Sequence, residues 1–272
     1  MNRPIETSLA KGVLTVTFNR PEVRNAMSRA MATSLGETLV EAEGNDEVRA
    51  IVLRGRGGHF CAGGDIKDMA AARTQTFRPE DGEADPIVAL SETFGRMVES
   101  FARTPKPVVV VLQGAVMGGG FGISCVADVA LAHRDARFRL SETSLGLIPA
   151  QIAPFLVERL GYSEAKRLAV TGARLDAHQA QRVGLVHGVF DDDEALEAGL
   201  GRTLDDILRG APRATAETKR LLFRCRNEPP AGLVGYAAER FAAAARGDEG
   251  QEGMMAFVGK RAPAWAPGDG EA

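Results

Sequence analysis

Two glycine-marked segments, each directly after an apolar run, most constrain how this chain can fold. The first is His59-Phe60-Cys61-Ala62-Gly63-Gly64-Asp65-Ile66, and the second runs from Gly114 to Gly120. Glycine lets the main chain approach a ligand in conformations that a β-carbon would block. We therefore expect both segments to present bare backbone N–H groups. Two such groups aimed at one oxygen would form an oxyanion hole.

The residues around the second segment support this interpretation. Residues 105–114 form a proline-bounded apolar run that is typical of a buried strand, and the apolar stretch 121–127 begins a helix. A strand, a glycine turn and a helix in this order place free N–H groups at the positive end of a helix. Taken alone, a glycine triplet is more often a turn or a helix-packing device.

Composition predicts one main globular domain with a smaller part attached. The 272 residues are 44% hydrophobic and 25% charged, and no linker divides them. The formal charge of −3 argues against a nucleic-acid partner, and no apolar run reaches the roughly 20 residues that span a bilayer. Three scattered cysteines and four scattered histidines predict no metal site. With no apolar signal core near Met1, we expect a cytoplasmic protein.

The hydrophobic pattern predicts strands alternating with helices, followed by a helical C-terminal part. Strands are predicted at 13–18, 48–54, 107–113, 128–132 and 185–190, and Ser28 is predicted to cap the first helix. Residues 74–86 are predicted to form a loop, either a lid beside the first glycine segment or an ordinary surface excursion. Asp248 and Gln251 have the spacing of a capping box.

Four segments together resemble the crotonase superfamily of enoyl-CoA hydratases and isomerases. They are Asn19-Arg20-Pro21-Glu22-Val23-Arg24-Asn25-Ala26-Met27 and the segments 60–66, 114–120 and 253–261, which stand in the family's order. The resemblance implies an α/β fold: a spiral of ββα units over residues 1–200, holding the CoA and active site, and a C-terminal helical trimerisation region over residues 201–272. It also implies a homotrimer or a dimer of trimers. The implied substrate is an acyl-CoA thioester, with no permanently bound cofactor.

The resemblance further implies roles for individual residues. The thioester carbonyl would lie between the N–H groups of Gly64 and Gly119, with Glu142 as the acid/base carboxylate. A side chain at either glycine is expected to push the thioester oxygen away from its donors. Asp65 would cap a helix as well as contact CoA. The implied CoA contacts are Arg24, Ala26, Ala62, Gly64, Asp65, Ile66 and Lys260, the last of these from its own or a neighbouring subunit.

One position departs from the pattern of typical hydratases in the family. Those enzymes carry two glutamates around the water, and the corresponding positions here are Gly122 and Glu142. We expect Gly122 to leave a small neutral space for a bulky or anionic substrate branch, because a carboxylate there would repel a substrate carboxylate. Gln151 would replace the missing carboxylate as a hydrogen-bonding group, or would be a surface amide.

The run Pro149-Ala150-Gln151-Ile152-Ala153-Pro154-Phe155 is similar to the 3-methylglutaconyl-CoA and isohexenylglutaconyl-CoA hydratases of bacterial leucine and acyclic-terpene breakdown. With Ile148 before it, it looks closer to the isohexenyl type. The sequence therefore favours a hydratase of a branched glutaconyl-CoA. Two alternatives remain: a Δ3,Δ2-enoyl-CoA isomerase with Glu142 as its sole acid/base, and a non-catalytic CoA-ester-binding protein.

Overall fold

A computed structural model describes residues 3–78, 82 and 84–267 of the chain. Its strands are β1 (Ile5–Ala10), β2 (Val13–Phe18), β3 (Ala50–Gly55), β4 (Val108–Leu112), β5 (Ala115–Met117), β6 (Val129–His133), β7 (Arg137–Arg139), β8 (Arg174–Asp176) and β9 (Gly188–Phe190). Its helices are α1 (Arg29–Glu43), α2 (Ile66–Thr74), α3 (Pro86–Arg103), α4 (Gly119–Val126), α5 (Ala153–Thr171), α6 (Ala177–Arg182), α7 (Asp193–Arg209), α8 (Pro212–Cys225), α9 (Pro230–Arg246) and α10 (Asp248–Val258). Short 3-10 helices lie at Pro21–Val23 and Thr143–Leu145.

The strands form two sheets in the described part of the chain. The larger has the order β1-β2-β3-β4-β6-β9, and all its neighbours are parallel except β1 and β2. The smaller has the order β5-β7-β8. Parallel neighbours need crossover connections, which α1, α3, α4 and the segments between β6 and β9 provide. The carboxyl ends of β3 and β4 lead into the two glycine segments, so the sheet places these segments side by side.

The centre of the large sheet is covered on both faces. Along β4, Val108, Val110 and Leu112 pack into one buried cluster with residues of α1 and α3. Val109 and Val111 point the other way into a second cluster with residues of α7. Because side chains alternate across a strand, an all-apolar strand fits only where both faces are buried. The predicted buried strand is therefore confirmed.

The remaining predicted elements have mixed outcomes. The strands at 13–18, 48–54 and 128–132 are found with ends shifted by at most two residues, whereas only the second half of 185–190 is strand, as β9. The Ser28 hydroxyl accepts a hydrogen bond from Met31 N–H at 3.2 Å. The capping box at Asp248 is wrong, because Gly247 is the N-cap of α10. Of the predicted loop 74–86, Thr74 ends α2 and Pro86 begins α3, residues 79–81 and 83 lie outside the described residues, and the others lie between the two helices.

The C-terminal helices bury few of their own side chains. Leu233 is the buried residue of α9 and Ala256 that of α10, whereas Phe241 and Phe257 are 77% and 86% exposed. Arg49, just before β3, binds the end of α7: its Nη2 donates to the carbonyls of Leu208 and Gly210 at 2.6 and 2.8 Å. Residue 200, the predicted boundary of the helical region, lies inside α7.

Candidate active site

The first glycine segment pairs with Met27 in a way that leaves Gly64 free. The Met27 N–H donates to the Gly63 carbonyl at 2.7 Å, and the Asp65 N–H donates to the Met27 carbonyl at 2.9 Å. In a parallel pairing, the residue between two such bonds directs its own N–H away from the partner. Within the described residues the Gly64 N–H has no acceptor, and Gly64 is exposed. It is therefore a donor available to a ligand.

Gly63, rather than Gly64, is the residue whose conformation requires glycine. Gly63 has φ +103°, a value that L side chains rarely adopt. A β-carbon on Gly64 would meet only the Met69 Sδ, at 3.8 Å. The protein itself therefore leaves room for a side chain at Gly64, and the effect of such a side chain on a thioester oxygen stays a prediction.

The second glycine segment supplies a donor at the start of α4. Gly118 has φ +44°, and its carbonyl accepts the Gly122 N–H at 3.0 Å, the first bond of the helix. N–H groups in the first turn of a helix have no carbonyl partner inside it, so the Gly119 N–H is free of the helix ladder. A β-carbon on Gly119 would lie 3.0 Å from two ring carbons of Phe94. The Phe94 ring therefore lies beside this donor, a contact that no sequence motif indicated.

The structure brings the two glycine segments together, as the sequence predicted. The Cys61 N–H donates to the Ala115 carbonyl at 2.9 Å, and the Met117 N–H donates to the Cys61 carbonyl at 2.8 Å. Beyond this pairing, the Cα of Gly63 lies 3.5 Å from the position of a β-carbon on Gly118. The segments that carry the N–H groups of Gly64 and Gly119 are thus neighbours in the structure.

Glu142 brings a carboxylate to this site. Its Oε1 lies 3.1 Å from the position of a β-carbon on Gly118, and its Oε2 is buried without a hydrogen-bond partner among the described residues. Burial raises the pKa of this carboxyl, and the nearby backbone of Glu142 and Ser141 only partly offsets the effect. An unpartnered carboxylate with a raised pKa is suited to exchange a proton with a substrate.

The prediction that Gly122 leaves an open space beside it is wrong. A β-carbon there would lie 2.2 Å from Cγ2 of Ile152 and 3.0 Å from its Cβ. Ile152 is 2% exposed and belongs to the main core. The space that a side chain on Gly122 would need is therefore filled with hydrocarbon, which keeps it neutral but not open.

Gln151 is fixed against α3 instead of lying free. Its Nε2 donates to the Ser91 hydroxyl at 3.0 Å. Its Oε1 lies 2.2 Å from the position of a β-carbon on Gly95, so the amide sits in a notch that only glycine allows. Phe94 lies between these two α3 residues in sequence. The Gln151 contact therefore ties the loop after Glu142 to the helix that carries Phe94.

Asp65 caps α2 as predicted, and it also makes an ion pair that the sequence did not reveal. Its Oδ1 accepts the Lys67 N–H at 2.9 Å, and its Oδ2 accepts Nη2 of Arg20 at 2.7 Å. Burial alone would raise the pKa of Asp65, but the hydrogen bonds from Arg20 and Lys67 outweigh it and lower the pKa. Ile66, the first residue of α2, is 71% exposed beside the site.

The other predicted CoA contacts divide into two groups. Ala62, Arg24 and Ala26 lie beside Gly64, because the Ala62 N–H donates to the Arg24 carbonyl at 3.0 Å and Met27 follows Ala26. Lys260 is exposed at the end of α10, which packs on α9. The Lys260 N–H donates to the Phe257 carbonyl at 3.2 Å, within the end of the same helix.

The cysteine and histidine of the first glycine segment are occupied by burial or by a hydrogen bond. Cys61 is buried, and burial raises the pKa of its thiol to about 11, so it is a poor nucleophile. His59 uses Nδ1 to accept the Ala115 N–H at 3.1 Å. Over the residues that the structure covers, no three His, Cys, Asp or Glu side chains are grouped to hold a metal ion. The same residues contain no helix long and apolar enough to cross a membrane.

The sequence of this chain is similar to those of known enoyl-CoA hydratases and isomerases. A family model described as enoyl-CoA hydratase/isomerase matches residues 8–268. The 2,3-dehydroadipyl-CoA hydratase of Escherichia coli is 31% identical over 254 residues, which are 92% of this chain and 94% of that protein.

Two solved structures share the whole architecture. The crystal structure of an enoyl-CoA hydratase/isomerase from Marinobacter aquaeolei has a TM-score of 0.93 and 50% identity, covering 97% of this chain and 99% of that chain. Pseudomonas aeruginosa AtuE has a TM-score of 0.92 and 48% identity, covering 97% of this chain and 100% of that chain. The similarity therefore extends over both sheets and the C-terminal helices.

Proposed function

Since this chain belongs to the enoyl-CoA hydratase/isomerase family, within the crotonase superfamily, we propose that it adds water to a branched enoyl-CoA thioester. The α/β crotonase fold predicted from the sequence is confirmed, with two sheets followed by C-terminal helices. The family acts on CoA thioesters without a bound cofactor. The steps of the reaction therefore rest on the chain's own groups.

The proposed reaction begins with polarisation of the thioester carbonyl. Its oxygen accepts hydrogen bonds from the N–H groups of Gly64 and Gly119, which stabilise the negative charge of an enolate. Polarisation makes C3 of the conjugated enoyl group electrophilic. Two donors of this kind matter, since losing one oxyanion donor in other enzymes costs about 2.7–4 kcal/mol of transition-state stabilisation.

Glu142 carries the proton in this proposal. As a carboxylate it takes a proton from water while the hydroxide oxygen bonds to C3 and the electron pair of the double bond moves into the enolate. The protonated carboxyl then returns the proton to C2, and the carbonyl reforms. One water is consumed and one carboxylate suffices. The buried, unpartnered Oε2 with its raised pKa is the observation that carries this role.

The branched substrate is inferred from charge and from sequence. No carboxylate stands at Gly122, where Ile152 fills the space, so a substrate carboxylate near it meets no like charge. The run from Pro149 to Phe155 resembles hydratases of 3-methylglutaconyl-CoA and isohexenylglutaconyl-CoA. We therefore place a branched glutaconyl-CoA ahead of straight-chain crotonyl-CoA.

Isomerisation is the second candidate, because a single carboxylate is also enough for it. Glu142 would take a proton from C2 of a 3-enoyl-CoA and return it to C4, with no water added. The Ile152 side chain beside Gly122 favours this alternative, because its hydrocarbon takes up space next to the site that water would otherwise fill.

Assembly forms part of the same proposal. We infer that the helical region from residue 201 mediates a homotrimer or a dimer of trimers, with Lys260 reaching a CoA bound mainly by a neighbouring subunit. The exposure of Met254, Met255, Phe257 and Val258 within five residues of α10 supports this inference, since neighbouring large apolar side chains are rarely left in water. The CoA itself would run past Arg24 and Ala26 toward Asp65.

A panel of thioesters tests the proposed reaction. Purified protein would be incubated with 3-methylglutaconyl-CoA, isohexenylglutaconyl-CoA, crotonyl-CoA and a 3-enoyl-CoA. Hydration removes the conjugated enoyl-thioester absorbance, whereas isomerisation of the 3-enoyl ester creates it. We expect the branched glutaconyl esters to be hydrated fastest. Preference for crotonyl-CoA would overturn the substrate choice, and turnover of the 3-enoyl ester alone would establish the isomerase. Binding without turnover would leave only a CoA-ester-binding protein.

A further inference from the structure

Arg20 lies behind the first glycine segment and does not belong to any group used so far in the reaction. Its guanidinium makes two contacts with different segments. Nη1 donates to the Ala26 carbonyl at 2.5 Å, and Nη2 donates to the Asp65 carboxylate at 2.7 Å. The side chains of Arg20 and Asp65 are 22% and 8% exposed, so this charge pair is largely shielded from water.

The first contact begins a continuous hydrogen-bonded path. The peptide group that joins Ala26 to Met27 accepts from Arg20 through its carbonyl and donates to the Gly63 carbonyl through its N–H, at 2.7 Å. The Gly63 carbonyl belongs in turn to the peptide group whose N–H is that of Gly64. The path therefore runs from the guanidinium, through two peptide groups, to the free donor.

The second contact, from Arg20 to the Asp65 carboxylate, fixes the residue that follows Gly64. Asp65 follows Gly64 directly, and its own N–H is held by the Met27 carbonyl at 2.9 Å. Arg20 thus binds two groups that flank the pairing of Met27 with Gly64, the Ala26 carbonyl and the Asp65 carboxylate. The Arg20 backbone is itself anchored, since its N–H donates to Asn25 Oδ1 at 2.9 Å.

We propose that Arg20 is a positioning residue for the Gly64 N–H, which it orients and polarises through the two peptide groups of this path. Hydrogen bonds in a chain strengthen one another, and a cation at one end draws electron density toward itself along the chain. The Gly64 N–H at the far end becomes a stronger donor. This inference rests on the proposed role of Gly64 in binding the thioester oxygen.

The test compares Arg20→Gln and Arg20→Lys with the parent protein and with Arg54→Gln. Arg54 also makes an ion pair, with Glu197 on α7, but lies outside the path. Two measurements are made on each protein: kcat and KM with the best thioester of the panel, and the absorption maximum of bound cinnamoyl-CoA. The absorption of this conjugated thioester moves to longer wavelength when its carbonyl oxygen accepts stronger hydrogen bonds, so the spectrum reports donor strength directly.

We expect Arg20→Gln to lower kcat by about 10-fold or more, less than the loss of a whole oxyanion donor, with a smaller change in KM. The spectral shift of bound cinnamoyl-CoA should shrink in parallel. Arg20→Lys keeps the charge but cannot hold both partners in one planar fork, so it should give intermediate values. Arg54→Gln should match the parent in both measurements.

Three results would overturn the inference while the proposed function stands. They are an unchanged spectral shift in Arg20→Gln, a kcat of Arg20→Gln within about two-fold of the parent, and an equal loss of spectral shift in Arg54→Gln. If Arg20→Gln does not fold, a parent-like shift in Arg20→Lys would count against it in the same way. Failure of the parent itself to turn over any enoyl-CoA or to shift the spectrum would instead overturn the proposed function.

Discussion

Ile152 occupies the space that a side chain on Gly122 would need, with its Cγ2 2.2 Å from the position of a β-carbon there. The two residues lie on different elements, Gly122 inside α4 and Ile152 just before α5. Their contact makes the identity of each residue depend on the other. A carboxylate at position 122 therefore requires a change at position 152 as well.

The first prediction tests this dependence. Gly122→Glu alone should destabilise the protein by about 1–3 kcal/mol or more, because the new side chain overlaps Ile152. Ile152→Ala alone should cost about 2–5 kcal/mol, because it leaves a cavity. The double variant should lose less than the sum, since each change relieves the other. Urea unfolding of the four proteins measures the coupling, and strictly additive losses would show that the two sites are independent.

The second prediction concerns catalysis by Glu142. Glu142→Gln keeps the shape of the side chain and removes the proton acceptor, so kcat should fall by about 10²–10⁴-fold while thioester binding persists. In the parent, kcat/KM should rise with pH as Glu142 ionises. Because burial raises the pKa of Glu142, the midpoint should lie above the ordinary range for glutamate. Glu37→Gln, an exposed change on α1, is the control and should keep the activity. Parent-like turnover by Glu142→Gln would remove this residue from the mechanism.

The third prediction concerns the stability of the same variant. A carboxyl whose pKa is raised by folding binds its proton more tightly in the folded state, so its charged form destabilises the fold as pH rises through that pKa. Glu142→Gln should therefore raise the melting temperature at neutral pH, and raise it less at acidic pH, where the parent carboxyl is protonated. Thermal unfolding at both pH values measures the difference. A lower melting temperature at neutral pH would mean that the Glu142 carboxylate is stabilising.

The fourth prediction separates the two donor glycines. A β-carbon on Gly119 would lie 3.0 Å from Phe94, so Gly119→Val should displace the ring or the backbone donor and lower kcat by about 10²–10³-fold, as for a lost oxyanion donor. Gly64→Ala should leave the fold intact, since only Met69 Sδ is near, and any loss of its kcat would come from contact with the thioester oxygen. Gly36→Val, with no atom within 4 Å, controls for the substitution itself. The assignment fails if folded Gly119→Val retains the parent kcat.

The fifth prediction concerns assembly. Light scattering of the parent should give a mass several times the 28.9 kDa of one chain. Phe257→Glu, with or without Phe241→Glu, should shift the protein toward smaller species, because it puts charge into a surface that we propose is covered by a neighbour. Val40→Glu changes another largely exposed apolar residue, on α1, and should leave the mass unchanged. A parent that stays monomeric at micromolar concentration would contradict the proposed assembly.

The strands and helices were predictable where local signals agree. The apolar run before Gly114 is buried on both faces, and Ser28 and Asp65 cap the helices they precede. The three-residue strands β5, β7 and β8 were not predicted, because such short segments carry no periodicity. The capping-box spacing at Asp248 failed because Gly247 already begins α10.

The residues of the candidate site could be predicted where they stand in a local motif, but not where they depend on contacts between distant parts of the chain. The glycine segments and Glu142 are visible as motifs, so their meeting could be expected. The partners of these motifs could not: Arg20 reaches Asp65, and Phe94 reaches Gly119, across long stretches of chain. The prediction of open space at Gly122 was wrong for the same reason, since the sequence does not show that Ile152 packs against Gly122.

The free N–H of Gly64 has a consequence for how this protein can change over generations. Every amino acid except proline carries a backbone N–H, and a glycine codon cannot become a proline codon by one base change. A single substitution at position 64 can therefore shift this donor but does not remove it. The carboxyl that we propose to transfer the proton, at position 142, depends on one codon. Lineages descended from such a protein can therefore lose or exchange their chemistry in one step while they continue to hold the same thioester. Gene duplicates that bind without reacting are the expected by-product of this arrangement.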